Sequence, residues 1–148
     1  ERFEPALEKG YIMINRRWQK GDTVTLDLHM KPELLESHPN VKDNVGRVAI
    51  RRGPIVYCLE AEDNSGINVW DLEIPKDTKL SKEYRDMLGG IVAIKGEGYI
   101  NEPGAWEKLY LPLEEANRLK KEIEFTAIPY YAWANRTPGP MEVWIKRK

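Results

Sequence analysis

Thr23-Val24-Thr25-Leu26-Asp27-Leu28 alternates polar and apolar residues without a break. Successive side chains of a strand point to opposite faces, so a period of two describes a strand with one face buried and the other in water. Upstream, Tyr11-Ile12-Met13-Ile14-Asn15 is a second apolar run, and Lys20-Gly21-Asp22 between the two has turn chemistry. Residues 11–28 therefore read as a β-hairpin. Working towards the C-terminus, the same reasoning predicts strands over 46–52, 54–60, 68–74, 91–95, 106–111, 122–128 and 142–146. Pro and Gly fall mostly between these runs, because Pro has no donor for a ladder and Gly no side chain to pack. Gly53-Pro54 breaks what would otherwise be one strand from Arg47 to Leu59, and reads as a bulge or a corner where the chain changes sheet.

Helical signals are few. Ser81-Lys82-Glu83-Tyr84-Arg85-Asp86-Met87-Leu88 opens on an N-cap residue and stops at Gly89-Gly90, which predicts at most two turns. Residues Glu114 to Lys121 contain good helix formers but one large apolar residue, Leu119, so helix and solvated loop stay equally open there. Many short strands, regular turn signals and no βαβ alternation predict an all-β fold: an antiparallel two-sheet β-sandwich of jelly-roll type with few short helices.

The chain has 148 residues. A domain of that size buries roughly 68–70% of its unfolded surface and needs no disulfide or metal to hold together. The one Cys has no internal partner. With 23 basic and 24 acidic residues, the net charge is −1 and neither sign forms a block, so nucleic acid is a poor expectation as partner. No apolar stretch reaches the roughly 18–20 residues of a membrane span, and no membrane partner is expected. The first residues, Glu1-Arg2-Phe3-Glu4-Pro5, lack the basic and apolar regions of an export signal, which favours a cytoplasmic location. The lack of an initiator Met fits a piece of something longer.

Hydrolysing a glycosidic bond usually requires two carboxylates about 5–10 Å apart. Glu73, Glu97, Glu102, Glu107 and Glu124 lie in or beside strand-like runs, where the solvent face of an alternating strand accounts for them. No catalytic residue is assigned. His29, His38 and Cys58 are the only soft metal ligands and their spacing fits no zinc motif, so no metal site is expected. His38-Pro39-Asn40 reads as a turn, and Cys58 within Ile55-Val56-Tyr57-Cys58-Leu59 as a small buried hydrophobe. Asp63-Asn64-Ser65-Gly66 offers oxygen atoms to calcium but lacks the acidic spacing of a calcium loop, so a turn built on Asx hydrogen bonding is preferred. Asn135-Arg136-Thr137 fits the glycosylation sequon, which carries little weight without an export signal.

Ile128-Pro129-Tyr130-Tyr131-Ala132-Trp133-Ala134-Asn135-Arg136 is the segment that stands out. Aromatic faces stack on the C–H faces of sugars, while amide and guanidinium groups bond their hydroxyls. Tyr131, Trp133, Asn135 and Arg136 are thus candidate carbohydrate-binding residues. The competing explanation is packing or an interdomain contact, which the same aromatics serve equally well.

Three ordered stretches carry a family resemblance. They are Gly10 to Trp18 with Lys20-Gly21-Asp22; Pro39 through Arg51-Arg52-Gly53-Pro54 to Glu60; and Ile128 to Arg136, followed by Pro138-Gly139-Pro140-Met141 and Val143-Trp144. Together they resemble the C-terminal region of glycoside hydrolase family 127, the β-L-arabinofuranosidase family; residues 61 to 121 are the least distinctive. The resemblance implies a parent in which an (α/α)-barrel catalytic domain precedes β-sandwich domains. It implies retaining chemistry, with a zinc-held Cys as nucleophile and a Glu as acid/base. Cys58 does not match that Cys pattern, so no cofactor is expected in this chain. The 11–28 hairpin looks like the tail of a preceding middle sandwich, which divides the chain into 1–38 and a terminal sandwich at 39–148. The expected role is structural: bracing the catalytic domain of the same polypeptide, with a homodimer contact in view. The alternative is a module for arabinose-containing carbohydrate.

Overall fold

β4 (Arg47–Arg52) and β5 (Ile55–Glu60) are the pivot of a computed structural model that describes residues 6–104, 108–116 and 118–148. Gly53-Pro54 is neither bulge nor corner. It is a two-residue hairpin turn, with Gly53 at φ 59°, that sets Arg52 opposite Ile55 and Arg51 opposite Val56. Beyond those pairs the two strands diverge, and their divergence decides the architecture. β5 turns to β9 (Arg118–Pro129), placing Tyr57 opposite Pro129 and Leu59 opposite Ala127. β9 runs antiparallel to β8 (Ile91–Pro103) from Ala127↔Ile94 to Arg118↔Pro103, and β8 also pairs with β6 (Leu72–Ile74). β11 (Ile145–Arg147) then lies parallel to β6, through Lys146↔Glu73, and antiparallel to β4, through Ile145↔Val48.

The ladder β4-β5-β9-β8-β6-β11 thus returns to β4 and closes a six-stranded barrel, which replaces the predicted two-sheet sandwich. One of its contacts, β6 with β11, is parallel, so the sheet is not wholly antiparallel either. Period-two alternation reports only that each strand has a buried face. A sheet closed on itself satisfies that pattern as well as two stacked sheets do, and only long-range pairing separates them. Further strands extend the barrel: β3 (Pro32–Glu36) on β4, β7 (Ser81–Arg85) on β8, and β10 (Met141–Glu142) on β5.

No α-helix occurs among the described residues; the helical elements are single 3-10 turns at Lys42–Asn44, Val69–Asp71 and Tyr130–Ala132. The helix predicted from Ser81 is instead strand β7, and Leu88-Gly89-Gly90, with φ 51°, 84° and 91°, is the tight link that sets Arg85 opposite Ile91. The same glycines that end a helix serve a hairpin equally well. Of the strand predicted over 106–111, residues 106 and 107 lie outside the described residues, and 108–111 are not strand. Residues 113–115 form a turn, and 118–121 already belong to β9.

The hairpin predicted over 11–28 does not form. Tyr11–Met13 (β2) pairs upstream with Ala6–Glu8 (β1), and 23–28 carries no strand; Val24, Leu26 and Leu28 are each more than 60% exposed. An alternating run becomes a strand only where a neighbouring edge takes its hydrogen bonds and a surface covers its apolar face. β3 lies ahead of the division predicted near residue 38 and is an edge of the main sheet.

Val48, Ile50, Tyr57, Leu59, Leu72 and Phe125 lead the main core. Burying each such side chain contributes roughly 1.5–3 kcal/mol. Cys58, Ile91, Ile128 and Ala132 form a second cluster with Met87, Met141 and Val143. Neighbours along β5 and β9 fall into different clusters, Leu59 and Ala127 in one, Cys58 and Ile128 in the other, so these strands are covered on both faces.

Candidate functional site

Pro129 ends the β9 ladder, and the next three residues make one 3-10 turn. With three residues per turn, side chains at i and i+3 eclipse, which brings Tyr130 over Trp133. Their rings stack at 5.7 Å between centroids and 18° between planes. Ala132, facing inward, anchors the turn in the second core cluster, while Tyr130, Tyr131 and Trp133 remain exposed.

Residues 134–136 lock the turn in place. The Asn135 amide nitrogen donates to the carbonyls of Ala132 and Trp133, at 3.1 Å each. Ala134 takes the left-handed φ of 61° and donates its N–H to Glu60 Oε1 at 3.0 Å. Arg136 turns inward. It donates to Asp63 Oδ1 at 3.1 Å and Asp63 Oδ2 at 2.5 Å, and also to Glu60 Oε2. Asp63 Oδ1 accepts from Arg85 at 2.9 Å, and Arg85 in turn donates to Glu83 at 2.7 Å. The Asn64 amide ties the base of the array, donating to the carbonyls of Glu60 and Thr126 and accepting from the Thr126 N–H.

The Glu60 and Asp63 carboxylates are more than nine-tenths buried, but each faces a guanidinium. Hydrogen bonding to Asp63, and then to Glu60, holds the Arg136 proton even more firmly than an ordinary guanidinium does. The arrangement is a closed set of ion pairs. It positions a ledge of aromatic rings and does not present an acid and a base across a cleft. Beneath it, burial pushes the Cys58 thiol up to about 12, with the Glu60 and Asp63 carboxylates adding to the shift, so the nucleophilic thiolate is disfavoured.

Of the four predicted sugar-binding residues, the structure sets Tyr131 and Trp133 in solvent and turns the hydrogen-bonding ends of Asn135 and Arg136 to internal partners. Tyr130, which sequence reasoning missed, stacks with Trp133; their i, i+3 spacing was the available signal. Asp63 lies in a turn, as the sequence suggested, its N–H donating to the Glu60 carbonyl, and its carboxylate is in addition the partner of two arginines. Among the acids considered on the sequence, Glu73 accepts from Asn101, while Glu102 pairs with Lys121 and Glu124 with Lys95. Glu107 lies outside the described residues. Among the described residues, no group of three or more His, Cys, Asp or Glu is placed to hold a metal. Two surface cavities lie elsewhere. One of about 330 Å³ lies against Leu34, Leu80 and Arg147; the other, about 710 Å³, runs past Lys79, Lys95, Tyr99 and Glu124.

Residues 32–146 match the family model described as the glycoside hydrolase family 127 C-terminal domain. A non-reducing end beta-L-arabinofuranosidase of Bifidobacterium longum is 31% identical over 96% of the chain, which spans 22% of that protein. A crystal structure of a family 127 beta-L-arabinofuranosidase from Geobacillus stearothermophilus T6 matches at 43% identity and a TM-score of 0.73, covering 80% of this chain and 18% of that one. A second family 127 beta-arabinofuranosidase superposes at a TM-score of 0.83 with 33% identity, over 99% of this chain and 22% of its own. The chain thus spans about a fifth of the length of these relatives.

Proposed function

The chain belongs to the glycoside hydrolase family 127 C-terminal domain family, and on that premise we propose that it is the non-catalytic terminal domain of a β-L-arabinofuranosidase-like enzyme, bracing the catalytic domain of the same polypeptide and contributing to a homodimer contact. The observation that carries this reading is the row of exposed apolar side chains ahead of the barrel. Leu7, Tyr11, Val24, Leu26 and Leu28 are each at least 61% exposed. Val24, Leu26 and Leu28 hold the alternation of a strand that has no sheet. Such a run is the mark of a surface covered by something else, here a sheet from the preceding part of the polypeptide. On this reading the segment before β3 belongs with that preceding part, and the barrel from Pro32 onwards is the terminal unit.

Two measurements test it. The 148-residue chain gives no turnover of an aryl β-L-arabinofuranoside, with or without zinc; turnover would overturn the reading. In a full-length parent, replacing both Leu26→Asp and Leu28→Asp lowers the melting temperature, whereas the same pair leaves the 148-residue chain within about 0.5 kcal/mol of its original stability, as surface changes do. Equal effects in the two contexts would count against an interdomain role.

A further inference from the structure

We infer that the ledge of Tyr130 and Trp133 is a saccharide-stacking surface that takes the flank of a neutral glycan chain. This rests on the reading above only in supposing that the parent acts on saccharides. Three observations carry it.

The first is preorganisation. The two rings are set by a 3-10 turn whose carbonyls are capped by Asn135 and whose exit is held by Ala134 and Arg136 on a buried acidic pair, Glu60 and Asp63. Rings fixed in this way lose little freedom when a ligand settles on them. The second is charge. Behind the ledge Arg136 is paired with Glu60 and Asp63, and Arg85 with Asp63 and Glu83. The residues exposed on the turn itself, Tyr130, Tyr131, Trp133 and Asn135, are all uncharged. Their phenols, indole and amide oxygen combine donors and acceptors of the kind that bond hydroxyls. An aromatic face with neutral donors and acceptors at its rim complements a polyhydroxylated uncharged ligand better than a charged one. The third is shape. Tyr130, Tyr131 and Trp133 are 46%, 65% and 39% exposed, so the ledge is open to the side of a chain.

Calorimetric titration of the 148-residue chain with a neutral linear arabino-oligosaccharide tests the inference. Binding is expected with a Kd between about 1 μM and 1 mM. Tyr130→Ala and Trp133→Ala each weaken it at least tenfold, while Tyr130→Phe, which keeps the ring, stays within threefold. Circular dichroism confirms that each variant is folded, and Trp133→Phe serves if Trp133→Ala does not fold, with a weakening of threefold or more expected. Absence of binding by the unmodified chain overturns the inference, and so does binding that both alanine variants retain. If the alanine variants instead alter only self-association in sedimentation, the ledge is a protein contact and the inference falls. None of these failures overturns the scaffold reading, which is decided by the turnover assay and by the Leu26 and Leu28 variants.

Discussion

Arg136 illustrates how far one side chain's role depends on its surroundings. In the sequence it follows an aromatic run and looks like a free hydrogen-bonding group; in the structure its guanidinium neutralises two buried carboxylates. Replacing it by Met removes the cation and leaves Glu60 unpaired, with Asp63 relying on Arg85 alone. Breaking a buried ion pair from one side costs about 3–5 kcal/mol, so Arg136→Met should lower the urea midpoint by that equivalent, and Glu60→Gln should recover part of the loss in the double variant. Cys58 gives a second expectation. Its thiol is raised from near 9 to about 12 in the folded chain, chiefly by burial. Between those values the unfolded chain has lost this proton and the folded chain keeps it, so Cys58 makes stability fall as pH rises from 9 to 12. The slope from one proton is at most about 1.4 kcal/mol per pH unit, and Cys58→Ala should flatten it. Burial of Cys58 was legible from its apolar neighbours. The role of Arg136 was not, because its partners stand more than seventy positions away.

Among the elements, β8 shows where a missing side chain shapes the fold. A Cβ on Gly98 would stand 2.8 Å from Leu72 Cδ1 and 2.9 Å from the Glu73 carbonyl oxygen, so β6 crosses β8 closely only because position 98 has none. The carbonyl belongs to a barrel strand and has no room to give. Gly98→Ala should therefore cost about 1–3 kcal/mol by chemical denaturation, unlike the small effect of a typical surface change. Local pattern predicted the runs that became β4, β5, β8 and β9, since hydrophobicity and β-branching act over a few residues. It misjudged 81–88, of which Ser81–Arg85, with good helix formers in it, is held as strand by pairing with β8. It also misjudged 23–28, where a clear alternation has nothing to pair with. For 81–85 the deciding partner is the next strand of a hairpin, which the segment's own composition does not show; for 23–28 the described residues supply no partner strand.

For the molecule as a whole, closure rests on a short piece of chain. Ile145–Arg147 fits between β6 and β4, joining residues near 73 and 47. Deleting residues 145–148 should expose both edges and produce association in sedimentation at concentrations where the intact chain gives none from these edges. An all-β chain with alternating inward faces was legible in the sequence; a closed ring was not, because residues about a hundred positions apart must meet to make it. The same requirement governs synthesis. While the polypeptide emerges from the ribosome, β4 and β6 have raw edges with no strand between them, and they keep them until Arg147 has cleared the exit tunnel. The ring can therefore close only after nearly all of the strands that compose it have been made.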